Sequence, residues 1–192
     1  MEIKIVVTTP AHEHYAEAIC KLIHESALAR GTGIAERQPE YVRAKINKGN
    51  AVIALDGENL AGFCYIEVWS HENYVANSGL IVNPDYRKRG LAKEIKKHIF
   101  QLSRDKYPHA QVFGITTSLA VMKINSSLGY KPVTFSELTQ DEAFWQGCNS
   151  CPNFDILSRN HRRLCLCTAM LAPSKEESMQ HDLSNLIIKD NE

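Results

Sequence analysis

Apolar residues recur along this chain with two alternating periods, and the switches between them outline its elements. Residues 3–8 are apolar and β-branched and predict a first strand. Ala16, Ile19, Cys20, Ile23 and Ala27 then fall at helical spacing within residues 11–29, a helix that ends at the glycine-bearing Arg30-Gly31-Thr32-Gly33. Pro39 opens a second helix reaching about residue 48. Residues 51–55 and 60–69 predict a hairpin around Asp56-Gly57-Glu58-Asn59. On its longer strand Phe63, Tyr65, Glu67 and Trp69 share one face, and Cys64, Ile66 and Val68 the other. Both faces are largely apolar, so this strand is central and Glu67 is its one charge. Further strands are predicted at 77–82, 111–117, 132–136 and 163–171, with helices at 91–106 and 119–127. On the first of these helices Leu91, Ile95, Ile99 and Leu102 are expected to face inward and Lys93, Lys96 and Lys97 outward.

This order predicts an α+β (α/β) domain, a mixed sheet with helices on its faces, over residues 1–172. Residues 138–162 interrupt what would be a simple hairpin and read as an insert. Residues 173–192 are polar and read as a tail, with a short helix near 182–189.

The chain carries 22 basic and 22 acidic residues, so its overall charge gives no pull toward nucleic acid or membrane. The distribution is less even. From Tyr86 to Lys106 eight Lys or Arg residues face only Glu94 and Asp105, a local excess of six positive charges. That is either a solvated helix face or part of an anion site. The N-terminus is too polar for a signal peptide, and no run approaches ~18 apolar residues. A cytoplasmic location is therefore expected, where six cysteines are not read as disulfides.

The strongest chemical signal is Leu80-Ile81-Val82-Asn83-Pro84-Asp85-Tyr86-Arg87-Lys88-Arg89-Gly90-Leu91-Ala92. A strand runs through a proline turn into Arg-x-x-Gly-x-Ala and then a helix. Unpaired N–H groups and the helix dipole favour an anion there, with basic side chains beside them. Diphosphate is the natural ligand. No Gly-x-Gly-x-x-Gly is present and no Gly-Lys-Ser/Thr follows the loop, which disfavours dinucleotide and P-loop sites.

The preceding hairpin, Arg87-x-x-Gly90-x-Ala92, and Ser127-Leu128-Gly129-Tyr130 after the next strand and helix together resemble the GNAT superfamily of acyl-coenzyme A-dependent N-acyltransferases, over about residues 3–171. The resemblance implies a largely antiparallel central sheet splayed at the cofactor site. It implies acetyl-CoA (coenzyme A) as cofactor, bound through Arg87, Lys88, Arg89, Gly90, Leu91 and Ala92 at the pyrophosphate. Leu80, Ile81 and Val82 would pair with the pantetheine arm, with an N–H near Leu80 or Ile81 polarising the thioester. Gly90 is expected to admit close backbone approach where a Cβ would intrude. A small amino-acid-like amine is the implied second substrate; a protein lysine or N-terminus as acceptor, or a non-catalytic coenzyme A-binding module, are the alternatives, and a homodimer is compatible. Arg-Gly-Thr-Gly-Ile-Ala, Asn-Ser-Gly-Leu-Ile-Val-Asn-Pro and Cys-Leu-Cys-Thr-Ala-Met-Leu also resemble a small bacterial group associated with arginine biosynthesis, which would imply N-acylation of glutamate by acetyl or succinyl.

Acyl transfer to an amine needs a base, a stabilised oxyanion and a proton for the departing thiolate. Glu67 is the first candidate base, since its apolar neighbours strip water from the carboxylate; the alternative is an ion pair at a strand end. His71 and Glu72 follow, an imidazole and a carboxylate just before the cofactor strand, or simply a solvated loop. Many family members place a Tyr five residues before the final aromatic, as acid for the thiolate. Asn125 stands there in this chain and cannot donate a proton in this range, though it can hydrogen-bond the cofactor. Arg30 and Arg37, on an adaptable loop, can fork onto an acceptor carboxylate.

Cys148-x-x-Cys151 and Cys165-x-Cys167 form a last cluster. Cys-x-x-Cys is a common half of a structural zinc site, and Cys165 and Cys167 would share a strand face. Structural zinc, buried reduced cysteines and a redox pair all stand as readings.

Overall fold

The computed structural model describes residues 3–31 and 35–180. Seven strands, β1 (Lys4–Val7), β2 (Ala51–Asp56), β3 (Asn59–Trp69), β4 (Tyr74–Val82), β5 (Gln111–Thr116), β6 (Lys131–Val133) and β7 (Thr168–Ala172), form one sheet in the order β1-β2-β3-β4-β5-β7-β6. Every neighbouring pair is antiparallel except β4 and β5. The helices are α1 (Ala16–Arg30), α2 (Pro39–Asn47), α3 (Leu91–Lys106), α4 (Leu119–Ser127), α5 (Glu142–Gln146) and α6 (Phe154–Arg159).

The alternation along β3 sorts the core into two layers, as its sequence requires. Phe63 and Tyr65 pack with Ile19 and Ile23 of α1 and Val42 and Ile46 of α2. Cys64 and Ile66 point the other way, onto Leu91, Ile95 and Ile99 of α3. The mixed, largely antiparallel sheet with helices on both faces is therefore present. Among the described residues no helix is long and apolar enough to cross a membrane.

Several expectations need correction. Lys96 does not face outward: it is 2% exposed, because the buried stripe of α3 is wide enough to take in 95–96 and 99–100 together. The last strand begins at Thr168, so Cys165 and Cys167 lie on the bend before it and not on a strand face. The insert is not structureless. It holds α5 and α6, whose Phe144, Trp145 and Leu157 pack on Ala76 and Phe113 of the sheet. The residues after Pro173 begin docked: Ser174 is buried, its Oγ accepts from the Glu177 N–H at 3.0 Å, and Glu177 accepts the Ser174 N–H at 2.7 Å. Residues 175–180 are helical, and Lys175 reaches Asp105 at 2.8 Å. The helix expected near 182–189, and Thr32-Gly33-Ile34, lie outside the described residues.

Candidate active site

One strand pair positions the site. β4 and β5 run side by side only at Tyr74–Gln111, Val75–Val112 and Ala76–Phe113. Beyond that register β4 continues to Val82, β5 to Thr116, and the two strands fork. A cavity of about 550 Å³ opens at the fork, lined by Asn77, Ser78, Gly79, Leu80 and Ile81 of β4 and by Phe113, Gly114, Ile115 and Thr116 of β5.

The β4 wall is irregular at the same place. Phe63 pairs with Ile81 and Tyr65 with Ser78, so two residues, Gly79 and Leu80, oppose Cys64 alone. This is a bulge, which takes a residue out of the ladder and bends the strand. Gly79 sits at φ +64°, and a Cβ there would stand 2.3 Å from Tyr65 Cε1. Only glycine fits, for both conformation and space.

At its outer end β4 leads through Pro84–Tyr86 into the start of α3. Gly90 caps that helix in the left-handed region, φ +79°, and Lys88 shares it at φ +62°. Nothing lies within 4 Å of a Cβ built on Gly90, so conformation rather than crowding within the chain calls for glycine. Arg87, Lys88, Arg89 and Gly90 are exposed. The Arg87 N–H donates to the Pro84 carbonyl at 3.2 Å, and its guanidinium is tied to the Val82 carbonyl at 3.1 Å and to Ser26 Oγ. Arg87 thus fastens the loop to the strand, while Leu91 and Ala92 present the unpartnered N–H groups of a helix start.

Glu67 lies on the α1–α2 side of the fork and is 6% exposed. Tyr41 donates its hydroxyl to Glu67 Oε1, and Ser78 donates to Oε2 at 2.6 Å. Burial and the neighbouring carboxylate push the Tyr41 phenol well above its ordinary value, which keeps it a donor. Arg37 donates to Tyr65 Oη at 2.6 Å and faces the same cavity, as does Arg30 at the end of α1. Burial opposes the Arg37 charge, but Tyr65 and Glu67 beside it more than offset that.

The other side of the fork holds Asn125 and Tyr130, which the sequence singled out, together with Lys96 and Asn77, which it did not assign to the site. Lys96 Nζ donates to Asn77 Oδ1 at 3.1 Å and lies 4.8 Å from the centre of the Tyr130 ring. Tyr130 also donates to Asn77 Oδ1, at 2.9 Å, and Asn77 Nδ2 donates to Ser103 at 2.8 Å. Asn125 is 1% exposed, and among the described residues its Oδ1 has no hydrogen-bond partner; Trp69 Nε1, which lines the cavity from the Glu67 face of the sheet, has none either. The signal for Lys96 was available: it follows Ile95 and precedes Ile99 on the apolar stripe.

His71 and Glu72 do not join this group. They stand exposed on the β3–β4 turn, in a run Ser70-His71-Glu72 with positive φ throughout, outside the cavity wall. The insert holds that turn: the Ser70 and Thr139 hydroxyls are 2.8 Å apart, and Asp141 accepts the Ser70 N–H.

The four cysteines of the cluster all line the cavity. All are free thiols. Burial and the neighbouring sulfurs push Cys148 up to about 11 and Cys167 up to about 12, so both stay protonated. The donor set suits zinc, but the arrangement does not: among the described residues no three Cys, His, Asp or Glu side chains are disposed to hold a metal ion. Cys148, Cys165 and Cys167 instead pack against Trp69, Phe113 and Phe144 as small apolar groups.

Residues 17–120 match the model of the acetyltransferase (GNAT) family. No curated protein sequence matches the chain. Among solved structures, N-acetylglutamate synthase from Neisseria gonorrhoeae, complexed with coenzyme A and N-acetyl-glutamate, is similar with a TM-score of 0.65 at 16% identity, over 91% of this chain and 35% of that one. The chain thus spans about a third of that enzyme's length. Rv2747 from Mycobacterium tuberculosis, in complex with CoA, is similar at TM-score 0.62 and 16% identity, over 88% of this chain and 98% of that one. A phosphinothricin acetyltransferase from Sinorhizobium meliloti, in complex with AcCoA, gives 0.60 and 16%, over 92% and 90%.

Proposed function

Since the chain belongs to the acetyltransferase (GNAT) family, we propose that it moves an acetyl group from the thioester of coenzyme A to the amine of a small amino-acid-like acceptor, with glutamate the first candidate. The observation that carries this reading is the fork between β4 and β5, with a bulged backbone along its β4 wall and the buried Glu67 carboxylate on its α1–α2 side. The presence of coenzyme A in the complexes of similar fold supports it. So does the unpartnered Asn125 Oδ1 in the cavity wall, an acceptor suited to an amide N–H of the pantetheine arm.

Each residue then has a task. The N–H groups of Leu91 and Ala92, with the exposed Lys88 and Arg89 side chains, hold the diphosphate at the start of α3. Gly90 supplies the turn, and Arg87 anchors it. Leu80, Ile81 and Val82 offer backbone groups to the pantetheine, and an N–H freed by the bulge polarises the thioester carbonyl, a contact worth on the order of 3 kcal/mol in comparable sites. Glu67 takes a proton from the acceptor amine, whose ordinary value lies near ~10.4 for a lysine-like group. Tyr41 and Ser78 keep its carboxylate aimed. Arg37 and Arg30 meet the acceptor's carboxylates.

The insert favours a small acceptor over a polypeptide, because α5, α6 and the cysteine bends cover the acceptor end of the cavity. The test is free-thiol release from acetyl-CoA, screened over amino acids and short peptides, with mass spectrometry of the product. Turnover with an acidic amino acid is expected. Turnover with peptides alone would overturn the acceptor assignment. Absence of thiol release with every amine, despite coenzyme A binding, would overturn the catalytic reading.

A further inference from the structure

Resting on that reading, we infer that Lys96 is the group that protonates the departing coenzyme A thiolate, from the α3 side of the β4–β5 fork. Its partner Asn77 is the first residue of β4 beyond the last β4–β5 pair, so the ammonium sits at the point where the strands part. Lys96 lines the cavity together with Gly114 and Asn125, across the sheet from Glu67. It is 2% exposed and, among the described residues, forms no ion pair.

A buried ammonium without a carboxylate is costly, and a fold keeps one mainly where its charge or proton is used. One neutral amide oxygen and a ring face are modest compensation. The groups facing Lys96 are Asn77 on β4, Cys64 on β3, Asn125 on α4 and Tyr130 beyond it. Burial lowers Lys96 to about 8, while burial lifts Cys64 to about 11 and Tyr130 well above its ordinary value. Lys96 is therefore the one of these that exchanges a proton near neutral pH, close to the range of a thiol.

The step balances. The acceptor nitrogen bonds to the carbonyl carbon and its surplus proton passes to Glu67. The carbon–sulfur bond breaks, its electron pair stays on sulfur, and a Lys96 Nζ–H proton moves to that sulfur. Lys96 ends neutral, Glu67 protonated, and exchange with solvent resets both as products leave. The base and the acid thus act from opposite faces of the sheet, through the gap between two strands. Asn125 leaves room for this acid where a bulkier side chain would fill the fork.

Two variants test it. Lys96→Met keeps the bulk and removes the charge. It should fold with a melting temperature at or above that of the parent and bind coenzyme A, yet lose on the order of 10²-fold in kcat. In the coenzyme A complex, ultraviolet thiolate absorbance should show the bound thiol ionising at higher pH in the variant, since a neighbouring cation is gone; this readout needs no acceptor. Lys96→Arg keeps the cation without a transferable proton, so it should retain the bound thiol's ionisation but lose kcat and the fall in rate as pH rises through about 8. Equal thiol titration in the parent and Lys96→Met, or an unaltered pH profile in Lys96→Arg, would overturn the inference and leave acetyl transfer standing. Failure of the parent protein to bind coenzyme A would overturn both.

Discussion

At the scale of single residues, the proposed acceptor chemistry rests on Glu67. Its two oxygens each accept a hydrogen bond, from Tyr41 and from Ser78, which fixes the orientation of the carboxyl group. Replacing Glu67 by Gln keeps the shape and most of the hydrogen bonding but removes the base. Steady-state kinetics should show kcat down on the order of 10²-fold, with acetyl-CoA affinity unchanged by calorimetry. A kcat near the parent value would move the base elsewhere. The strand alternation made Glu67 legible in the sequence, because a lone charge on a central strand must have a reason. Lys96 is equally visible in the sequence, but its charge suggests the wrong face. Charge suggested solvent, whereas its position between Ile95 and Ile99 put it inside, and helical position won over residue type.

At the scale of elements, α3 and α4 were readable to their exact bounds. Their apolar periods are long, and Gly90 and Ser118 mark where each begins, the latter by accepting the Val121 N–H. The sequence extends the last strand back to residue 163 because 164–167 is a continuous apolar run, while the chain bends there to bring Cys165 and Cys167 onto the insert core. Helices α5 and α6, of five and six residues, are too short to leave a period and are held by packing on Phe113 instead. The fork between β4 and β5 was not derivable from periodicity at all, since it depends on where two non-local strands stop pairing. The junction of β4 with α3 yields a prediction of its own. Gly90→Asp places a side chain at φ +79°, costing about 1–2 kcal/mol locally, and sets a negative charge against the diphosphate. Coenzyme A affinity should fall at least about tenfold, a loss of about 1.4 kcal/mol, while circular dichroism still reports the fold. Unchanged affinity would remove the loop from the cofactor site.

At the scale of the whole molecule, the buried ammonium couples stability to pH. Lys96 is lowered from 10.5 to about 8 by burial, so the unfolded chain holds that proton more tightly than the folded one. The resulting destabilisation, about 3 kcal/mol, is fully present below pH about 8, fades as pH rises toward 10.5 and is gone above it. Chemical denaturation of Lys96→Met should therefore show a more stable protein at neutral pH, with its advantage over the parent shrinking across that window. An advantage that stays constant with pH would show that Lys96 titrates normally in the fold. A different consequence follows from the order of the strands. The sheet ends on β1 and β6, and β6 is only Lys131-Pro132-Val133, paired inward to β7. Proline has no N–H to offer an incoming chain, and the lysine beside it adds charge. That margin is closed to strand addition, so the protein is guarded there against aggregating edge to edge through its own sheet.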